Sequence, residues 1–265
     1  MYKFPEYEEV NTKHFFRFEK DIIRSGIWAG LPTASKAIFP VIGVHANSEG
    51  VAWPSQETIA RMAGITPKTV RSGISAMKDF DKIKLSSYIN KRGRKSYRYK
   101  IDLPTIGKGS DFRFYRSLVE SGFWASLTPG EQAVYPVLRT YAYFEPEPYL
   151  HYCDEIGIEV PEGITYGEFI NEGHYESRQF EIATPEIDVI AEIAGVCTST
   201  ARSAICKLES KKMVYVYTED NDHIYEYEKT REYLVFIRPR YWIVDDEKVV
   251  TYAYLNKLNK NITHE

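Results

Sequence analysis

Between residues 16 and 45 apolar side chains recur every three or four positions, the spacing of helices that bury one stripe. The pattern predicts a helix over 16–27, a turn at Gly30-Leu31-Pro32 and a second helix over 34–45. Pro40 falls inside the second run and predicts a kink or break, because proline has no N–H to donate and crowds the preceding turn. From residue 55 the helical spacing resumes. Ser55 is placed as an N-cap with Glu57 in the first turn; Ile59, Ala60 and Met62 follow, and Gly64 stops the helix. Thr66 caps and Pro67 opens a further helix over 67–77, whose buried face is Val70, Ile74 and Met77 at i, i+4 and i+7. The period then changes to two. Residues 83–90 and 96–101 alternate, are rich in Tyr and Ile, and flank Lys91-Arg92-Gly93-Arg94-Lys95, which predicts a hairpin.

The chain repeats this layout. Residues 16–42 align without a gap onto 112–138, sharing Phe-Arg-Phe, Ser-Gly-x-Trp-Ala and Pro-Val, with 11 of 27 positions identical. Residues 53–78 align onto 184–209, preserving Pro54/Pro185, Ala63-Gly64/Ala194-Gly195 and Arg71-Ser72/Arg202-Ser203. The offset rises from 96 in the first block to 131 in the second, so the second copy carries about 35 additional residues, at about 143–180. Pro136 repeats Pro40 and carries the same expectation of a kink, while Pro129 suits the first turn of its helix. A second hairpin is expected from 213–218 and 233–238, with an acidic connection through Glu219, Asp220 and Asp222. The boundaries that follow are a 1–15 extension, a first domain over 16–106, a second over 107–244 containing the insertion, and a 245–265 tail.

Charge divides along the same boundary. The net charge is -3, yet residues 1–106 hold 18 Lys+Arg against 10 Asp+Glu and the remainder 16 against 27, a balance of +8 facing one of -11. Such a division points to a nucleic-acid-facing half joined to one with another task. From Tyr143 through Glu181 the insertion and its edge hold ten acidic residues and a single Arg, a surface for a protein partner, a homodimer or self-packing, or a plain elaboration.

The run from Trp53 through Ala63-Gly64-Ile65-Thr66-Pro67 to Arg71 resembles the helix-turn-helix family of bacterial, plasmid and phage regulators and replication proteins. Residues 190–202 resemble it more weakly, with Cys197 in place of the cap Thr66 and Ala201 in place of Val70. The resemblance covers about 60% of the chain and implies an α+β, predominantly helical fold of two winged helix-turn-helix domains in tandem, laid out like plasmid and phage replication initiators. It also implies that the 67–77 helix enters the major groove. Lys68, Thr69, Arg71, Ser72 and Ser75 are then the candidate DNA contacts, joined by Ser55, Gln56 and Thr66 at the helix starts. Arg71 suits a bidentate contact to guanine, or acts as a phosphate clamp or solvated residue. From Lys82 to Ile101 eight basic residues and no acidic one occur, so Lys91, Arg92, Arg94, Lys95 and Arg98 are expected to reach phosphate or the minor groove, against the simpler reading of a solvated face. In the second copy Ser199, Thr200 and Arg202 are candidates for a weaker contact.

No catalytic constellation emerges, and no enzyme is expected. His151-Tyr152-Cys153-Asp154 lacks the partners of a zinc site, there is no Gly-x-x-x-x-Gly-Lys loop, and no His pair accompanies the 21 tyrosines as a nicking enzyme would need. No metal and no cofactor is expected. The three cysteines, Cys153, Cys197 and Cys206, form no close pair and read as reduced thiols, the last two packed along a helix. No window reaches 18 uninterrupted apolar residues, so a cytoplasmic protein associated with a nucleoid or plasmid, and no membrane contact, is expected. Two functions remain. One is a site-specific double-stranded DNA binder, a replication initiator or transcription regulator; the other is a protein-assembly module that keeps winged-helix folds and binds DNA weakly or not at all.

Overall fold

Two pairs of elements, distant in sequence, clasp each other at the centre of the molecule. The computed structural model describes residues 14–79, 83–89, 93, 95–101, 111–143, 180–211, 213–218, 231–236, 242–244 and 247–249. The first half comprises β1 (Phe15–Glu19), α1 (Lys20–Arg24), α2 (Ile27–Gly30), α3 (Thr33–Val44), β2 (Val51–Ala52), α4 (Gln56–Ala63), α5 (Pro67–Asp79), β3 (Ile83–Ile89) and β4 (Lys95–Ile101). The second comprises β5 (Asp111–Tyr115), α6 (Arg116–Glu120), α7 (Phe123–Ser126), α8 (Pro129–Tyr141), β6 (Phe180–Ala183), α9 (Ile187–Ala194), α10 (Thr198–Ser210), β7 (Val214–Thr218) and β8 (Arg231–Phe236), followed by β9 (Trp242–Val244) and β10 (Glu247–Val249). The insertion, the 106/107 boundary and most of both termini lie outside the described residues, while β9 and β10 pair with each other across the expected 244/245 boundary.

The expected helix over 16–27 is corrected to a strand followed by two short helices. Phe16-Arg17-Phe18 alternates with period two, and its strand partner is its own repeat, Phe112-Arg113-Phe114, which local spacing alone does not expose. Pro40 and Pro136 break nothing: α3 and α8 run through them. Residues 35–44 and 131–140 are buried without exception, and packing on every side outweighs the ~3 kcal/mol cost of an interior proline.

β1 and β5 pair antiparallel with Arg17 opposite Arg113, Phe16 opposite Phe114 and Phe18 opposite Phe112. At the offset of 96 Arg113 is the counterpart of Arg17, so equivalent residues face each other, as they do across a two-fold axis. Further contacts between the halves are reciprocal as well. Trp28 Nε1 donates to Ala133 O at 2.9 Å, and Trp124 Nε1 to Ala37 O at 2.8 Å. Gly64, at φ 71°, leaves no room for a side chain, because a Cβ there would stand 2.2 Å from Ala125 O; Gly195, at φ 64°, meets Ala29 O at the same 2.2 Å. Gln132 Nε2 donates to Ala63 O at 3.2 Å and to Trp124 O at 2.9 Å. Its counterpart Lys36 donates to Ala194 O at 2.8 Å and to Ala29 O at 3.3 Å. One hydrophobic core runs through both halves, from Phe16 to Val235.

Each half also carries a three-stranded antiparallel sheet of the same order, β2-β4-β3 and β6-β8-β7. Ala52 pairs with the buried Tyr99, and Ala183 with the buried Tyr233.

Two measurements probe the contact between halves. Gly64→Ala and Gly195→Ala are each expected to cost about 2–5 kcal/mol in urea unfolding, the left-handed backbone penalty plus overpacking against a carbonyl. Gly93→Ala, where φ is 71° and nothing lies within 4 Å, should cost only about 1–2 kcal/mol. Burial also pulls the Lys36 ammonium down from 10.5 to about 8. The unfolded chain therefore holds this proton between pH 8 and 10.5 where the folded chain has released it, so the stability of the wild type relative to Lys36→Gln should rise with pH across that window. A flat difference would show that the lysine keeps its ordinary affinity for protons.

Candidate nucleic-acid interface

The first two-helix corner is built by caps. The Ser55 hydroxyl accepts from Thr58 N at 3.0 Å and starts α4; Gly64 ends it in the left-handed region, and Ile65 N reaches back to Ala60 O at 3.0 Å. Thr66 Oγ1 accepts from Thr69 N at 3.2 Å and starts α5. Val70, Ile74 and Met77 are buried, as the spacing requires, and Ile65 packs against the core in the corner. Ser35 Oγ donates to Gly73 O at 2.8 Å and fixes α5 on α3.

With that face committed, Lys68, Arg71, Ser72 and Ser75 are exposed on the opposite side of α5, together with Thr66 at its start. Ser55 is exposed and Gln56 half-buried at the start of α4. Thr69 is half-buried, and its hydroxyl lies 2.8 Å from that of Thr66, so it serves the cap. The Glu57 carboxyl is held below its usual range by its own backbone N–H and the Ser55 hydroxyl, with a smaller contribution from the Arg71 charge.

The hairpin adds a third surface. Its register places Lys84 opposite Lys100, Ser86 opposite Arg98 and Tyr88 opposite Ser96, all on one face. Leu85 and the buried Tyr99 lie on the other. Arg98 is exposed on the outward face. Lys84, exposed, and Lys100, half-buried and bonded to Glu49 O, belong to the same face and were not singled out; the period of two in the run would have found them. Trp53, exposed beside the start of α4, was likewise missed. Lys91, Arg92, Arg94 and the side chain of Lys95 lie outside the described residues.

In the second half α9 and α10 meet at a bend of 100° across Gly195-Val196-Cys197. Ser199 and Arg202 are exposed and Thr200 is half-buried, with Ser203 beside them at the counterpart of Ser72. The hairpin differs. At the register positions of Lys84, Arg98 and Lys100 stand Tyr215, Glu232 and Leu234. The cysteines correct an expectation: Cys197 and Cys206 are free and exposed rather than packed, because the positions of α10 that face inward are Ala201, Ala204, Ile205 and Leu208. The Ser199 hydroxyl at 3.2 Å and the Thr200 hydroxyl at 3.0 Å pull the Cys197 thiol down to about 7. Cys153 and the His151–Asp154 cluster lie outside the described residues.

A capped two-helix corner with a sheet beside it is the architecture of a helix-turn-helix unit. Residues 29–80, about a fifth of the chain, match the helix-turn-helix domain family, and that match suggests a DNA partner. No curated relative and no solved structure matches the chain. Among the described residues no single helix is long and apolar enough to cross a membrane, and no three His, Cys, Asp or Glu side chains cluster as metal ligands.

The two exposed thiols provide a direct check on this surface. Alkylation of Cys197 by iodoacetamide is expected to rise through a midpoint near pH 7, as its thiolate forms. A midpoint near 8.5, the value of an ordinary thiol, would mean that the two hydroxyls do not serve Cys197 in solution.

Proposed function

We propose that the protein is a site-specific double-stranded DNA binder, acting as a replication initiator or transcription regulator of a plasmid, phage or other mobile element. It is built from two winged helix-turn-helix units in tandem and acts by binding rather than catalysis in the cytoplasm. The observation that carries this reading is the outward surface of the first unit. Lys68, Arg71, Ser72 and Ser75 are exposed on α5, and the hairpin that follows it in the same unit has a face of Lys84, Arg98 and Lys100. A helix of that composition fits the major groove, where a guanidinium meets O6 and N7 of guanine together. A hairpin of that charge suits the flanking phosphates. In the sequence Lys91, Arg92, Arg94 and Lys95 add four more basic residues to the same hairpin. The acidic insertion, repelled by phosphate, is assigned to a protein partner.

Selection from a random duplex library, followed by binding of the enriched sequence across a salt series, tests the proposal. An enriched motif is expected. Changing Lys91, Arg92, Arg94 and Lys95 together to Ala should flatten the log-log salt slope by roughly 3 to 4, about one counterion for each phosphate that is no longer neutralised. Absence of binding at low salt would favour an assembly module instead.

A further inference from the structure

The reciprocal contacts between the halves fix how two reading surfaces are placed. The axis that sets Arg17 opposite Arg113 and exchanges the Trp28 and Trp124 hydrogen bonds also relates α5 to α10, in inverted rather than head-to-tail orientation. Symmetric dimers of helix-turn-helix proteins present their helices in this relation, and their targets are inverted repeats for that reason. Here both helices belong to one chain. Their outward faces agree where it matters for base reading: Arg71-Ser72 on α5 is repeated as Arg202-Ser203 on α10, and all four residues are exposed. They differ around it, with Lys68 against Ser199 and Ser75 against Cys206. The hairpins differ more, since the basic positions Lys84, Arg98 and Lys100 become Tyr215, Glu232 and Leu234.

We infer that a single chain, with no second copy, reads an imperfect inverted repeat, with α5 in one half-site and α10 in the other. This rests on the DNA-binding reading above. The half-sites share the base met by Arg71 and Arg202 and lie about one helical turn apart, the separation at which two such helices address one face of the duplex. Protection extends beyond the half-site on the α5 side only, where the hairpin is basic. The protein therefore sits on its target in one orientation, unlike a dimer of identical subunits.

The experiment combines library selection with stoichiometry on the enriched duplex, using the full chain and its Arg71→Ala and Arg202→Ala variants. Both arginines are exposed and make no ion pair among the described residues, and circular dichroism would confirm that the variants keep their fold. The expected result is one chain per duplex in native mass spectrometry. Each variant should bind about 5- to 150-fold more weakly and lose preference at one base position, the two positions being related by inversion. Cys206, at the counterpart of Ser75, should be alkylated more slowly when the duplex is bound. Two chains per duplex, two duplexes per chain, a direct repeat, or an Arg202→Ala variant with unchanged affinity and motif would each overturn the inference while leaving DNA binding by the first unit intact. Loss of all binding in the wild type would overturn the DNA-binding reading itself.

Discussion

The carbonyls of Ala29 and Ala125 occupy the space where side chains would stand on Gly195 and Gly64, and the geometry of the molecule follows from those two contacts. Each two-helix corner turns at a glycine whose positive φ ends one helix and whose missing Cβ admits the backbone of the opposite half. Neighbouring polar groups leave little slack. Gln132 bridges the end of α4 to α7, Lys36 bridges the end of α9 to α2, and the buried indoles of Trp28 and Trp124 hold α3 and α8 by their N–H groups. A corner locked from outside its own unit cannot reorient alone. The spacing of α5 and α10 is thereby a property of the folded chain rather than of a flexible linker.

Within this frame the repeats have diverged by exchange. Where α5 crosses α3, Gly73 lies against Ala34; where α10 crosses α8, the glycine is Gly130 and the alanine Ala204. One missing methyl per crossing suffices for close approach, and either helix can supply it. The anchors between the helices differ in chemistry but not in place. Ser35 bonds the backbone of Gly73 in the first half, whereas its counterpart Glu131 completes a capping box with Thr128 and pairs with Lys211 in the second. On the central ribbon Arg17 forms an ion pair with Asp111 at 3.0 Å, while Arg113 lies 4.9 Å over the ring of Phe15, the counterpart of Asp111. Two arginines directly opposite would repel, and each is offset by a different neighbour.

The elements that could be read from the sequence are those whose determinants are local. Caps at Ser55 and Thr66, the stop at Gly64, and the buried stripe of α5 each depend on residues within a few positions, and the exposed site residues of α5 follow by elimination. The strand at Phe16-Arg17-Phe18 depends on a partner 94 to 98 positions away, and so it reads as helix. The break expected at the prolines is absent for a related reason: a break is a local expectation, and burial of every residue around Pro40 and Pro136 is a tertiary fact. The glycines were legible only in part. Their turn-forming role lies in the sequence, whereas their role as seats for a carbonyl of the other half does not.

The symmetry of the frame and the asymmetry of its surface answer different physical demands. Packing is short-ranged, so reciprocal contacts between the halves constrain both copies alike and keep their core positions matched. Electrostatic attraction to a duplex acts over about a Debye length and depends on surface charge alone, which the frame leaves free to drift. The first half has a hairpin face of Lys84, Arg98 and Lys100; the second has Tyr215, Glu232 and Leu234 at the same register, and acidic residues dominate its sequence. A polyanion meeting such a molecule is drawn first to the basic half. On the proposed mode of binding, the fixed geometry would then bring Arg202 and Ser203 toward the groove, with the bound half already setting position and direction along the helix axis. An overall charge of -3 is compatible with DNA binding on these terms, because a division of +8 against -11 makes the average a poor guide to the local field.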